Sequence, residues 1–516
     1  MSLSLGDRIR EVLAIDPSAD AIEYAERWYT WGDLSRVAEG VDRCAGAQQL
    51  GAAAPVGVLM QNRPEVVASI LGMVMSGRCV VTLSPHQGAS RLAADLKALR
   101  LPLVIATSEG WEGSLGAACV AAGSQGVEVT DSGARLRDGV DLQPPAEGFR
   151  APMPGVAVEM LTSGTTGPPK RIELRSDAIA TALLGSKHYE ATRKDAASLR
   201  SGIAILSAPL VHVAGIFRTL QCVSDGRRFA LMDRFELGAW LELVERHEPR
   251  TVSLVPAALR SVLEADVAPE SLESIRAVVS GTAPLAPADA VAFEEKYDIP
   301  VLVSYGATEF AGGVAGWSLE LHRKYAAEKR GSVGRAHPGC ELRVVSAESG
   351  SQLAPGEIGL LEVRSAQIGN AGVDGVEAWV RTTDLAELDP DGFLFIRGRA
   401  DAAIVRGGFK VMPDEVVCAL EKHPCVREAA VVGIDDARLG QRPVAAVELV
   451  EPDAGAEPVS VDALLEFARD LLARYEVPSE LRIVEALPRT PSLKVSQPGV
   501  RALFEGFSSE PEDDEA

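Results

Sequence analysis

The sequence predicts an α/β protein in two parts. A large N-terminal domain, residues 1–398, contains α/β subdomains plus a small β-rich subdomain. A smaller α+β C-terminal domain, residues 399–507, follows, then an acidic tail, residues 508–516. Three observations carry this prediction. Over the first four-fifths of the chain, short apolar runs alternate with amphipathic segments, as in mainly parallel sheets covered by helices. Between about 340 and 398, short runs separated by Gly, Asp and Pro read as hairpins. Finally, 516 residues exceed what one hydrophobic core sustains, so the chain divides.

The elements follow in order. Residues 56–60, 79–83, 102–106, 203–207, 251–255 and 277–280 read as buried strands, with helices at 63–76 and 236–247 between them. The most apolar stretch, 66–75, is too short to span a bilayer and reads as a buried helix. Residues 341–345, 359–363 and 392–397 are the hairpin strands. Beyond Arg399-Ala-Asp401, residues 413–422 form a helix with proline at its start, 427–433 and 444–450 pair as strands, and 461–475 form another helix. The tail carries five acidic residues and no apolar core, so it is expected to be disordered. No internal repeat is visible.

With 51 basic and 73 acidic residues the net charge is −22, which argues against non-specific nucleic-acid binding. Seven scattered cysteines, an odd number in a long chain, point to reduced thiols and a cytoplasmic protein. No Cys-x-x-Cys or His-x-x-x-His pair suggests zinc, and the N-terminus lacks the basic and apolar regions of a signal peptide.

The most informative segment is Leu161-Thr-Ser-Gly-Thr-Thr-Gly-Pro-Pro-Lys170, which packs four hydroxyls, two glycines and a lysine into ten residues. Glycines let main-chain N–H groups cup an oxyanion, and the hydroxyls and lysine add donors and charge. This is phosphate-holding chemistry. It is not the P-loop, whose lysine directly follows its second glycine.

The order TSGTTGxPK closely resembles the phosphate-binding loop of the adenylate-forming superfamily of acyl-CoA synthetases, non-ribosomal peptide synthetase adenylation domains and luciferases. Four further segments resemble that family's motifs in order and spacing: Ser304-Tyr-Gly-Ala-Thr-Glu309; Arg381-Thr-Thr-Asp384 with Asp391-Gly-Phe; the hinge segment Gly398 to Phe409; and Pro488-Arg-Thr-Pro-Ser-Leu-Lys494. Tyr29-Thr-Trp-Gly-Asp-Leu34 and Val56 to Glu65 also fit, so the likeness spans nearly the whole chain.

The resemblance implies an acyl- or aryl-CoA ligase that uses ATP, Mg²⁺ and coenzyme A on a small-molecule carboxylic acid. Thr162, Ser163, Gly164, Thr165, Thr166, Gly167 and Lys170 would hold the β and γ phosphates. Thr308 would bond a phosphate oxygen and Glu309 would ligate Mg²⁺, a hard ion suited to carboxylate and phosphate oxygens. Ser280, Gly281, Thr282, Ala283, Pro284, Tyr305, Gly306 and Ala307 would wall the adenine and acyl group. Asp384 would bond the ribose, aided by Arg399, with Ile396 beside the nucleotide. Lys494 would bridge the attacking carboxylate and the α-phosphate.

The resemblance further makes Asp401 the hinge about which the C-terminal domain rotates between half-reactions, withdrawing Lys494 and bringing in Gly407 and Gly408. Arg406 and Lys410 are candidates for the CoA phosphates or ordinary surface bases. His212, Val213, Ile216 and Phe217 would line the acyl pocket. Arg218 either pairs with a second polar group of the substrate or points to solvent. No aspartate stands where amino-acid-activating members place one beside the α-amine, which disfavours an amino-acid substrate.

Two positions depart from the family pattern: Leu493 stands before the lysine and Arg171 after the phosphate-loop lysine, both where glycine is usual. They open a rival reading, an enzyme that thioesterifies a preformed acyl-adenylate without making one. Loading of a carrier protein, and a degenerate non-enzymatic binding protein, are further rivals. A homodimer is the commonest oligomer for such a soluble chain.

Overall fold

The computed structural model describes residues 4–161, 170–185, 196–368, 378–407, 409–436, 438–450, 459–490 and 494–505. Its largest sheet has seven strands, ordered Gly133–Leu136, Gln125–Thr130, Leu103–Thr107, Pro55–Leu59, Cys79–Leu83, Val156–Leu161 and Arg171–Arg175. The five inner strands are parallel and each edge strand pairs antiparallel. Pro55–Leu59, Cys79–Leu83 and Leu103–Thr107 are buried along their whole length, which explains why they read as unbroken apolar runs. Helix Pro64–Met75 covers this sheet, with proline in its first turn and ten buried residues.

A second sheet aligns Thr251–Ser253, Ala277–Ser280 and Val301–Ala307 in parallel, then turns back through Gly312–Gly316 and Arg335–Ala336. A third joins Arg200–Leu206, Arg227–Leu231, Asp20–Tyr24 and Arg27–Thr30. The expected hairpin region is a four-stranded antiparallel sheet of Cys340–Val345, Ile358–Ser365, Val380–Leu388 and Leu394–Arg399. Its strand Val380–Leu388 was not anticipated: Arg381-Thr-Thr-Asp384 lacks the apolar alternation that marks a strand.

Residues beyond Ile404 build a separate sheet and core. Val426–Asp436 and Gly440–Leu449 pair along their length, and helices Pro413–Leu420 and Val461–Leu471 pack with them around Val416, Leu420, Val431, Val447 and Leu464. This unit meets the N-terminal part through ion pairs. Arg427 grips Glu264 with both nitrogens, Nε–Oε1 2.6 Å and Nη2–Oε2 2.5 Å, and Arg260 lies 3.3 Å from Glu428. No helix among the described residues is long and apolar enough to cross a membrane.

Candidate active site

A cleft of about 2810 Å³ runs between the two parts. On its N-terminal wall the parallel strands Ala277–Ser280 and Val301–Ala307 end side by side, so the segments that follow them converge. Gly281 sits where an added Cβ would lie 2.8 Å from Ser304 Oγ, and Thr282 adopts φ +71°, a left-handed conformation that a β-branched residue rarely takes. The next hairpin is equally tight. Gly306 faces Gly313, and a Cβ at 306 would lie 2.3 Å from the Gly312 carbonyl oxygen. That close pairing aims the short helical turn Thr308–Phe310 into the cleft.

Glu309 in that turn forms no ion pair or hydrogen bond among the described residues, although Arg399 lies within reach of its field. A lone carboxylate without a protein partner suits Mg²⁺, which takes one or two carboxylates and fills its remaining positions with phosphate oxygens and water. No cluster of three metal-ligating side chains exists among the described residues.

The four-stranded sheet places Asp384 directly opposite Arg399, as register partners on adjacent strands. Tyr305 donates its hydroxyl hydrogen bond to Asp384 Oδ2, and the Asp384 amide donates to Thr382 Oγ1 at 3.1 Å. Burial, then the Asp384 charge, raises the Tyr305 phenol, which stays protonated and donating. Arg399 lies 3.9 Å from Asp384 Oδ1 and donates to Thr383 Oγ1 at 2.7 Å. It also grips Asp401, Nε–Oδ1 2.9 Å and Nη2–Oδ2 2.8 Å. Burial works against the Arg399 charge, but Asp401 and then Asp384 outweigh it and the guanidinium is held charged. One oxygen of Asp384 is thus fixed by Tyr305, and its edge faces the cleft where a diol could bond.

Lys494 enters the cleft from the C-terminal part. Its carbonyl accepts from the Thr490 amide at 2.7 Å and from Thr490 Oγ1 at 3.2 Å, and Arg489 forms a β-bridge with Val495. Lys494 is open to solvent along the cleft, yet the protein packed about it and the Arg399 charge both push its ammonium pKa down. The charge of Lys494 is felt by His212. Burial first and then Lys494 lower that imidazole to about 4, so it is neutral at neutral pH. Its Nε2 is buried without a partner among the described residues, and an orphaned polar atom at a cleft wall fits a polar ligand. Ser280, also a candidate from the sequence, is fully buried and does not line the cleft.

Several candidates from the sequence thus converge on one cavity: Lys170, His212, Val213, Phe217, Gly281 to Pro284, Tyr305 to Glu309, Asp384, Ile396, Arg399, Asp401 and Lys494. Others do not. Ile216 is 2% exposed and packs in the core beneath its helix. Arg406 donates to the carbonyls of Tyr475 and Val477 at 2.8 and 3.1 Å, so in this arrangement it ties its own domain together. Gly407 makes a turn at φ +57° away from the cleft. Thr162, Ser163, Gly164, Thr165, Thr166, Gly167, Gly408 and Leu493, and the side chain of Lys410, lie outside the described residues.

Arg171, which stands where glycine is usual, does not line the cleft. It pairs with Asp95 at 2.8 Å and Glu159 at 3.6 Å and donates to the Thr82 carbonyl. Arg150 closes the same network on Glu159 with bonds of 2.9 and 2.5 Å.

Three positioning residues were not singled out as site residues from the sequence. Asn62, 6% exposed, accepts from the Leu210 amide at 2.8 Å and donates to the carbonyls of Ala208 and Met232, stapling the loop that precedes His212. Gln367 donates to the carbonyls of Phe310 and Gly313, both at 3.0 Å, and His337 Nδ1 lies 3.2 Å from the same Gly313 oxygen, bracing the turn that carries Glu309. Their partners are distant backbone atoms, which only the fold reveals.

Comparison with known proteins agrees with this arrangement. Residues 9–371 match the model of the AMP-binding enzyme family, and residues 415–494 that of the AMP-binding enzyme C-terminal domain. The chain is 26% identical to the 2-succinylbenzoate–CoA ligase of Bacillus subtilis, covering 93% of this chain and 94% of the relative. It is 27% identical to the indoleacetate–CoA ligase of Aromatoleum aromaticum, covering 97% and 98%. In fold it is similar to the o-succinylbenzoate CoA synthetase from Bacillus subtilis solved with its acyl-adenylate intermediate, at a TM-score of 0.76 and 24% identity over 96% of this chain and 97% of that one. A family model that spans most of the chain, with its C-terminal partner in sequence, shows that this protein belongs to the AMP-binding enzymes.

Proposed function

We propose that this protein is an acyl-CoA synthetase, an acid–thiol ligase that converts a carboxylic acid, ATP and CoA to acyl-CoA, AMP and pyrophosphate. In the first step a carboxylate oxygen attacks the α-phosphorus and the bond to pyrophosphate breaks. In the second the CoA thiolate attacks the acyl carbon and AMP leaves. One observation carries the reading: Lys494 from the C-terminal part shares a cleft with His212 and Asp384 of the N-terminal part and with Arg399 at the boundary. A mobile cation set between an acid pocket and a ribose-binding carboxylate suits charge shifting from a carboxylate to a phosphate. Mg²⁺ held by Glu309 would neutralise the β and γ phosphates as pyrophosphate departs.

His212, neutral and desolvated, can donate to or accept from the substrate carboxylate without adding a competing charge. Tyr305 and Arg399 hold Asp384 in place for the ribose. Rotation about Asp401 would break its paired bonds to Arg399, exchange Lys494 for the segment around Gly407, and admit CoA. Such closure excludes water from an adenylate that hydrolyses readily.

The withdrawal of Arg171 into a buried network favours a complete enzyme over one confined to the second half-reaction. A carboxylic acid is the substrate class, and we place the enzyme in the cytoplasm, where its seven cysteines stay reduced. The test separates the half-reactions. Pyrophosphate release from ATP and acid, and CoA transfer from synthetic acyl-adenylate, are both expected of the parent. Lys494→Ala should abolish only the first. Loss of CoA transfer with adenylation intact in the parent would refute the ligase reading.

A further inference from the structure

Seven charged side chains alternate in sign across the boundary between the two parts. Asp289 accepts from Arg260 Nε at 3.1 Å and from Nη2 at 3.0 Å, and the same guanidinium lies 3.3 Å from Glu428. Arg489 bonds Glu428 in turn and lies 3.6 Å from Glu448. Glu448 stands 3.7 Å from Arg427, which grips Glu264. Arg260 and Glu264 lie one turn apart on helix Pro256–Glu264. The chain of charges therefore starts and ends on the N-terminal part. It crosses to the C-terminal part at Arg260–Glu428 and again at Glu264–Arg427.

The middle of this chain reaches the segment that carries Lys494. Arg489 is bridged to Val495, the residue after Lys494, and the Ser496 amide donates to the Pro488 carbonyl at 2.7 Å. The Arg489 backbone thus fixes the backbone beside Lys494, while its side chain is counter-ion to two carboxylates. Glu428 and Glu448 are register partners on strands Val426–Asp436 and Gly440–Leu449, where like charges repel. Arg489 relieves that repulsion from within the C-terminal part, and Arg260 relieves it from the N-terminal part. Rotation about Asp401 would break both crossings yet leave little charge unpaired. Glu428 keeps Arg489, Arg427 keeps Glu448 and Arg260 keeps Asp289. Of the seven, Glu264 alone loses its partner, and its side chain is 36% exposed. A lone buried charge is costly, and here rotation makes none. Such contacts hold an arrangement without locking it.

We propose that Arg260 and Glu264 are positioning residues for the first half-reaction. Through Glu428, Arg427 and Arg489 they latch the arrangement in which Lys494 lies in the cleft, and they oppose the one that admits CoA. This rests on the ligase reading for the rotation that the latch opposes.

The test measures pyrophosphate release and CoA transfer from synthetic acyl-adenylate on the same full-length variants. Energy transfer between labels on the two parts gives a readout free of chemistry. Weakening a contact made in one of two arrangements multiplies their ratio by that contact's worth. Arg260→Gln should lower kcat for pyrophosphate release about 10-fold, with KM for ATP and acid near the parent values. CoA transfer should stay unchanged or quicken. Glu264→Gln, at the more exposed crossing, should lower the same kcat about threefold. Arg260→Lys should recover part of the loss, because a point charge still faces Asp289 and Glu428. Arg442→Gln breaks a 3.3 Å pair with Glu480 inside the C-terminal part and should leave both half-reactions alone. Energy transfer should shift toward the rotated arrangement in Arg260→Gln, and added salt should shift the parent in the same direction. Equal loss of both half-reactions in a folded Arg260→Gln, or unchanged energy transfer, overturns the proposal. Shifted energy transfer with both half-reactions unaltered overturns the positioning role. Shifted energy transfer in a protein whose parent releases no pyrophosphate with any acid supports the latch while refuting the ligase reading.

Discussion

Gly306→Ala tests whether the tight hairpin before Glu309 sets catalysis. The added Cβ would stand 2.3 Å from the Gly312 oxygen, 2.8 Å from Gly313 Cα and 2.9 Å from the Gly312 carbonyl carbon. All three are backbone atoms of the paired strand, so no side chain can swing aside. Comfortable carbon contacts lie near 3.5 Å, so the strands must part by about 1 Å. Overpacking of this kind costs about 1–3 kcal/mol. The distortion falls on Thr308 and Glu309, two and three residues on, where a misplacement of about 1 Å lowers rates roughly 100-fold. The assay is kcat/KM for pyrophosphate release across a Mg²⁺ titration, with Tm as the check on folding. We expect a fall of about 100-fold, a weaker apparent Mg²⁺ affinity and a Tm lowered by a few degrees. Gly238→Ala, whose nearest neighbour would be Glu236 Oε1 at 4.0 Å, is the matched control and should be neutral. A Gly306→Ala enzyme within about threefold of the parent would refute the reasoning, because the hairpin would then absorb the methyl without moving the site.

Arg171→Gly restores the residue usual in the family, yet it should destabilise the fold by about 3–5 kcal/mol by leaving Glu159 and Asp95 under-compensated, without speeding pyrophosphate release; chemical denaturation and initial rates decide. His212 is held near 4 against a free value of about 6.5, so the folded state disfavours its proton. Its contribution is harmless above pH about 6.5 and erodes stability as pH falls toward 4, so the Tm of His212→Gln should decline less steeply than the parent's across that window. Burial, reinforced by Glu428 and Asp289, raises Glu421 to about 7 where the C-terminal part faces Arg260. A raised carboxyl pKa favours the docked arrangement when protonated, so docking should weaken as pH rises toward 7. Glu421→Gln should remove that dependence, read by energy transfer between labels on the two parts.

The sequence by itself determined the family, the order of the motifs and fewer than half of the sheet strands. Cys79–Leu83 and Ala277–Ser280 were legible to the residue, because a strand buried on both faces must be apolar throughout. Asp384, Arg399, Glu309 and Lys494 were legible as chemistry, since their neighbours in the chain form ordered motifs. Which of them meet was not legible, nor were the residues that hold them. Asn62 acts on carbonyls 146 and 170 positions away, and Gln367 on carbonyls 57 and 54 away. The resemblance assigned His212, Val213, Ile216 and Phe217 to the acyl pocket without saying which of them face the core. Only the packing of helix Val213–Ser224 put Ile216 inside and Arg218 in the cleft. Arg171 and Arg406 make the same point. From the sequence Arg171 reads as a departure that could misplace a charge and Arg406 as a candidate CoA contact, but a guanidinium goes to whichever anion or carbonyl the fold brings within about three ångströms. Those partners, Asp95 for one and the Tyr475 carbonyl for the other, are set by long-range contacts that a local pattern does not encode.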